Sequence, residues 1–488
     1  MKNHRGAVNT ENMETQTLLL FCYNHLPETT NATIFEQYYQ YCYRPFLSVL
    51  NRFPEIHVAV FYSGTLLAML ESKHPEFLLL LNEMISNKQV ELLGGSYNCA
   101  YLPAQTNSER IAGIEMLTNY TRKKFSKRPR GFWMPDYLWS NSLIGSLVNC
   151  GFEYAVHKCR EPNTFDSRSN MFITEENYKP IKIIKAIDSL QYDDKLVHEI
   201  LNEIRDLQMH PKALAFRGES LRRQYEKYKF ESPDVMMEKT FAWFRKNILQ
   251  YDSALPGKLC RSGDFPATRA YFPDYIPNRT SDFLSSNKSA ETFLDLFLEN
   301  RDLVYFYAKM NFVRLLLRNE VKGDKERKRA GIDALSMATP SDMFDPENGF
   351  MQRDIRLSCW KHLIDAEKCT NGKKNLKTFI SEQDYDLDGN LEIIIRQKNY
   401  DCVADTQKAS ILELDYMPLS LNLCSIFSKD KNDFGLFIDT LHQGKTKVNP
   451  IYKLQETDYE RCLVNYKSII DDTVLAKKIQ FTSAYIRV

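Results

Sequence analysis

Six short apolar runs punctuate the first half of the chain: "TLLLFCY" (17–23), "IHVAVF" (56–61), "VELLG" (90–94), "GFWM" (131–134), "EYAVH" (153–157) and "ALAF" (213–216). Longer segments of helical character lie between and after them, at 33–52, 75–87, 107–124, 140–150, 196–207 and 233–248. Near-continuous apolar strands have no polar face to show water. A sheet built from them must be covered on both sides, which helical connections do while keeping the strands parallel. Six or more such units favour a closed or nearly closed (β/α) barrel over an open sheet. In a barrel, chemistry gathers where strands end and the following loops begin. That rule picks out His25, Ser63, Tyr97, Asp136, His157 and Glu219, each at or just beyond the end of one of the six runs.

The chain does not end with this pattern. Its 488 residues exceed one ordinary core. From Ser289 to Lys368 the period becomes helical, with apolar residues at i, i+3, i+4 and i+7 in "DLVYFYAKMNFVRLLLRNE" and "RDIRLSCWKHLIDAEK". The aromatic stripe of Tyr305, Phe306 and Phe312 reads as helical core. After the turn-rich "DYDLDGN" (384–390), the runs "LEIIIRQ", "DCVADT" and "SILELDY" alternate as strands of an antiparallel sheet do.

Several function classes fall away. A net charge of +1 gives no field to attract nucleic acid or an anionic membrane, and the basic run at Thr121–Arg130 reads as a solvated helix end. No apolar run reaches the roughly 20 residues of a membrane span, and "TLLLFCY" lacks the cleavage site of a secretory signal. Eleven scattered cysteines without a CxxC pair suit reduced thiols, so a cytoplasmic protein is expected. The histidines show no HxD or HExxH arrangement and no phosphate-cradling glycine loop occurs, so neither a metal nor another cofactor is expected. "DYDLDGN" shares three spaced acids with a calcium loop but lacks the rest of the EF-hand pattern, and is read as a turn.

What remains is carboxylate chemistry. "RGFWMPDYLW" (Arg130–Trp139) sets Asp136 between two of the chain's four tryptophans, and Glu219 follows another strand. Two acids flanking a glycosidic bond are what a retaining glycosidase needs, with carboxyls roughly 5–5.5 Å apart.

These segments together resemble glycoside hydrolase family 57, of the 4-α-glucanotransferase/α-amylase type, from Thr17 to Ile426. "YNHLP" is similar to the family's first motif, HNHQP. "GGSYNCAYL" is similar to the second, and "GFWMPDYLWSNSLIG" to the third, which carries the nucleophile. The third motif's Glu stands here as Asp136, with Tyr137 for the next Arg, and the second motif's Glu and Pro stand as Cys99 and Ala100. In the fourth motif a gapless alignment on the strand puts Glu219 at the acid/base position, whereas alignment on Gly-Glu puts Arg217 there. The fifth motif, here "SDMFDPENG" (341–349), keeps Asp342 and Asp345 as poorly aligned remnants.

The resemblance implies an α/β fold: an incomplete (β/α)7 TIM-like barrel over 1–285, a helical domain over 286–378 and an apparently truncated antiparallel β-sandwich over 379–488. It also implies an enzyme acting on α-1,4-glucans or maltooligosaccharides, with Asp136 as nucleophile, Glu219 as acid/base, and His25, Tyr97, Trp133 and Trp139 as substrate-binding residues. The alternative is a catalytically degenerate relative that binds glucan or serves as a scaffold. A homodimer stays open; nucleic acid and membrane are not expected partners.

Overall fold

The computed structural model describes residues 16–135, 138–157, 170–188, 195–196, 199–200, 210–247, 251–263, 267–274, 297, 301–344, 352–371, 378–405, 410–425, 480–481 and 486–487. Among them, seven parallel staves ring the core. β1 (Gln16–Asn24) pairs with β2 (Val58–Tyr62), and β2 with β3 (Val90–Leu92). A parallel bridge from Gly94 to Phe132 carries the ladder to β4 (Gly131–Trp133), which pairs with β5 (Tyr154–His157). β6 (Met171–Glu176) and β7 (Lys179–Lys185) form a hairpin whose turn residues Asn177 and Tyr178 both take positive φ, and β7 pairs with β5. After Ala186 the same stave continues as β8 (Ile187–Asp188) beside β9 (Lys212–Arg217), and β9 returns to β1. β10 (Tyr251–Ser253) pairs with the start of β1, and β11 (Thr268–Arg269) with β6.

The α/β barrel anticipated from the strand–helix alternation is present. The stave made of β7 and β8 was not anticipated, because Lys179, Lys182 and Lys185 interrupt its apolar run. It is a half-buried strand: Ile181 and Ile183 pack in one cluster with Phe132, Ile144 and Leu147, Ile184 packs in another with Trp133 and Val156, and the lysines are part-exposed. The helix expected at 196–207 falls almost wholly outside the described residues.

Helices cover the barrel. α1 (Ala32–Tyr38) passes through a π-turn at Tyr39–Tyr43 into α2 (Arg44–Leu50). α3 (Gly64–Lys73), capped by the Ser63 hydroxyl, and α4 (Pro75–Ser86) follow β2. α5 (Asn107–Phe125) starts on a capping box: the Thr106 hydroxyl accepts from Glu109 N–H while the Glu109 carboxylate accepts from Thr106 N–H. It stops at Ser126, which takes the left-handed conformation. α6 (Ile144–Asn149), α7 (Ser220–Tyr228), α8 (Pro233–Lys246) and α9 (Pro256–Ser262) complete this layer. Sequence periodicity did not show α3, α7 or α9, which are short.

Three further helices, α10 (Arg301–Asn319), α11 (Lys325–Met337) and α12 (Arg353–Lys368), stack on α5 through α11. An antiparallel sheet follows, of β12 (Phe379–Gln383), β13 (Glu392–Arg396), β14 (Tyr400–Asp405), β15 (Ser410–Tyr416) and β16 (Leu421–Asn422). It docks on α10, where Tyr305, Ala308 and Phe312 meet Tyr385, Ile394, Val403 and Leu412. Among the described residues no helix is long and apolar enough to cross a membrane.

Candidate active site

β1 and β9 run side by side and in register to their C-terminal ends, where Tyr23 stands opposite Arg217. One strand therefore delivers Asn24 and His25 to the rim, and the other delivers Arg217, Gly218 and Glu219. A Cβ on Gly218 would fall 1.9 Å from Asn24 Oδ1, so close an approach requires glycine. That approach folds the chain back, and Glu219 is only 6% exposed.

Both Glu219 oxygens are engaged. Oε1 accepts from the His25 backbone N–H at 3.1 Å and from the Tyr43 hydroxyl at 2.6 Å, and Oε2 accepts from Arg217 Nε at 3.0 Å. Tyr43 reaches this carboxylate from the last residue of the π-turn, a local widening that recurs at functional sites. Burial, with the Glu219 charge beside it, holds the Tyr43 phenol well above its ordinary pKa, so it stays a donor. The Arg217 side chain, about a third exposed, lies above Glu219 and within electrostatic reach of Asp342.

Asp342 comes from a distant part of the sequence. Residues 339–341 run antiparallel to residues 99–101: Tyr101 N–H donates to the Thr339 carbonyl at 2.7 Å, Ser341 N–H donates to the Cys99 carbonyl at 2.9 Å, and Ala100 bridges Pro340. This short ladder sets Asp342 Oδ2 2.6 Å from His25 Nε2. Burial opposes charge on His25, but the Asp342 charge and hydrogen bond, with Cys99, carry its pKa well above the ordinary imidazole value. Burial likewise pushes Asp342 up, and the charge and hydrogen bond of His25, with Arg217, hold it below its ordinary value. The rim thus holds an imidazolium–carboxylate pair beside a guanidinium–carboxylate pair.

The structure brings together His25 and Glu219, both strand-end residues, with Arg217 and Asp342, which entered the sequence reading only through the family motifs. Tyr97 is half-buried; its ring packs over Gly64 and lines, with Glu28, Thr65 and Met69, an open cleft of about 990 Å³. Trp133 and Trp139 do not line a sugar site here. The Trp133 indole is buried, stacked on Tyr23 at 4.4 Å with Phe61 beyond at 6.4 Å. Trp139 is buried against His157 and donates its Nε1–H to Asn141 Oδ1 at 3.2 Å. Protein side chains occupy the places where a pyranose would stack. His157 itself is held neutral, burial pushing its pKa down to about 3. Asp136, Tyr137 and Asp345 lie outside the described residues. Tyr43 was missed by sequence reading, because nothing in linear periodicity marks a π-turn.

A sequence model of the family described as "Glycosyl hydrolase family 57" matches residues 3–248. The 4-alpha-glucanotransferase of Thermococcus litoralis is 35% identical over 144 residues, which make up 30% of this chain and 22% of that relative. Alpha-amylase 1 of Dictyoglomus thermophilum is 22% identical over 474 residues, covering 87% of this chain and 67% of that one. Among solved structures, the Thermococcus litoralis 4-alpha-glucanotransferase superposes with a TM-score of 0.72 at 20% identity, over 85% of this chain and 68% of that chain. The family's branching enzyme from Thermococcus kodakaraensis superposes with a TM-score of 0.54 at 10% identity, over 73% and 90%. At those identities the structural likeness speaks for the fold.

Proposed function

Since the chain belongs to glycosyl hydrolase family 57, we propose that it processes α-1,4-glucans, as a 4-α-glucanotransferase or α-amylase-like enzyme of retaining mechanism. The observation that carries this reading is the charged cluster of His25, Asp342, Arg217 and Glu219 at the barrel rim, where a barrel enzyme places its reacting groups. In this mechanism Asp136 attacks the anomeric carbon and forms a glycosyl ester as the bond to the leaving oxygen breaks. Glu219 protonates that oxygen, then takes the proton back from the water or sugar hydroxyl that opens the ester. For Glu219 to reach a glycosidic oxygen, Arg217 must release Oε2, and its part-exposed side chain has solvent to swing into. His25 and Asp342 hold sugar hydroxyls.

A second reading is favoured by the three hydrogen bonds that engage both oxygens of Glu219. Here the chain binds glucan without turning it over, and Glu219 is a structural anchor for Arg217. Incubation with maltoheptaose and analysis of the products separates the two. The enzyme reading expects shorter and longer maltooligosaccharides, abolished by Asp136→Asn and reduced about 10²–10⁴-fold in kcat by Glu219→Gln. Binding of maltoheptaose without any product would establish the second.

A further inference from the structure

The loop joining β12 to β13 reads Asp384-Tyr385-Asp386-Leu387-Asp388-Gly389-Asn390-Leu391-Glu392. Sequence alone suggests a turn, and the structure contains one: Gly389 takes φ +90, and its N–H donates to Asp384 Oδ2 at 3.1 Å. The turn uses its other acids too, Asp386 Oδ1 accepting from Asp388 N–H at 3.3 Å and Asp388 Oδ1 from Asn390 N–H at 2.9 Å, yet each carboxylate has a second oxygen. One carboxylate oxygen from each of Asp384, Asp386 and Asp388 lies within 4.8 Å of the other two.

A separate observation comes from the strand that follows. Glu392 opens β13 and is only 1% exposed. Its Oε2 accepts from the Tyr385 backbone N–H at 2.7 Å, which turns the carboxylate toward the middle of the loop. Among the described residues its Oε1 has no hydrogen-bond partner, and neither has the buried Oδ1 of Asp384. Burial opposes ionisation of Glu392, and the charges of Asp386 and Asp388, with Asp405 across the ladder, oppose it further. Glu392 stands beside the three-aspartate group, tied to its loop through Tyr385 and within the field of Asp386 and Asp388, and a buried carboxylate oxygen left without a partner there is expensive unless a cation completes it.

We propose that residues 384–392 form a divalent-cation site of the calcium class, with Asp384, Asp386, Asp388 and Glu392 as its carboxylate ligands. The donors are hard oxygens only, with no thiolate or imidazole to favour zinc or copper. Acids at positions one, three and five with glycine at six follow the spacing of a calcium loop, but the last acid stands at nine and position twelve is Ile395. A site so shortened suits a large cation tolerant of irregular geometry better than magnesium, which demands an octahedron. The ion would hold the sheet as well as the loop. The Tyr385 hydroxyl donates to Glu413 Oε2 at 2.6 Å, and Glu413 pairs with Lys309 on α10.

The test uses the full chain, stripped with a chelator and titrated with calcium chloride or magnesium chloride by calorimetry, with terbium luminescence as a direct report of loop occupancy. The expected result is one calcium per chain with Kd on the order of 10⁻⁵–10⁻³ M, weaker magnesium binding, and a melting temperature several degrees higher in saturating calcium. The part-exposed Asp386 and exposed Asp388 can be changed without touching a core, so Asp386→Asn/Asp388→Asn should fold, weaken calcium binding at least about tenfold and lose the thermal shift. Glu392→Gln should abolish the calcium response while raising the melting temperature of the stripped protein, since it removes an uncompensated buried charge. No binding up to about 10 mM calcium, or an unchanged response in the double variant, would overturn the site. A Glu392→Gln protein that melts lower when stripped yet binds calcium normally would remove Glu392 from it.

Discussion

His25 and Asp342 act as a unit whose contribution to stability depends on pH. The folded pKa of His25 is raised, so its contribution is complete below the unfolded value of about 6.5 and is lost as pH rises through the raised value. Asp342 is depressed, so its share is complete above the unfolded value of about 3.9 and is lost as pH falls through the lowered one. His25→Gln should therefore cost roughly 1–3 kcal/mol near pH 5–6.5 and progressively less toward alkaline pH. Denaturant midpoints of the parent and variant across pH 5–9 check this. A constant gap would show that Asp342 does not hold the imidazole charged. Not all of this was legible beforehand. Strand-end logic finds His25 and Glu219, because each stands just past an apolar run. The fifth motif names Asp342, but nothing in the sequence places it beside His25, since their 317-residue separation is closed by the 99–101/339–341 ladder. For Trp133 and Trp139 an indole beside a carboxylate suggests a sugar platform and a strand position equally suggests core; both are buried, Trp133 stacked on Tyr23 and Trp139 packed against His157.

At the scale of elements, α5 shows how one side chain serves two purposes. Glu109 completes the capping box, and its two oxygens also accept from Arg314 of α10, at 2.8 Å from Nε and 2.6 Å from Nη2. Glu109→Ala removes the cap and strands a largely buried guanidinium, at a cost of about 3–5 kcal/mol. Glu109→Gln keeps much of the cap and should cost visibly less. Chemical denaturation of both decides; a loss of only about 1 kcal/mol in the alanine variant would mean that the cap alone counts. The elements most readable in sequence were those with one clear period, such as β1, β2 and α5. Those missed were short helices and the lysine-broken β7, in which neighbours rather than propensity decide the conformation.

Across the whole molecule, the sheet and the helices meet over a buried charge cluster. Lys309 Nζ lies 2.6 Å from Glu367, 2.5 Å from Glu413 and 2.7 Å from Asp415, all of them almost wholly excluded from water. Burial pushes Asp415 up, with Glu413 beside it, so this carboxyl holds its proton well above the ordinary carboxylate range. Lys309→Met would leave these acids facing one another, costing about 3–5 kcal/mol at pH 7. A carboxyl with a raised folded pKa loses stability as pH rises through that value, so acidification toward pH 5 should restore part of the loss. Thermal melts of the variant at both pH values test this, and an equal loss at pH 5 would exclude proton uptake as the relief.

The ring of staves is not fastened equally all round. One arc runs through β3, β2, β1, β9 and β8, the other through β4, β5 and β7. They meet at the Gly94–Phe132 bridge and at Ala186, where one stave changes allegiance from β5 to β9. His25, Arg217 and Glu219 ride on the first half-shell, and Trp133 ends β4 on the second, stacked on Tyr23 of the first. The spacing between rim residues carried by the two half-shells is consequently a property of a pair of joints, like the gap of a caliper. A change at either joint would reset it without touching the rim residues themselves.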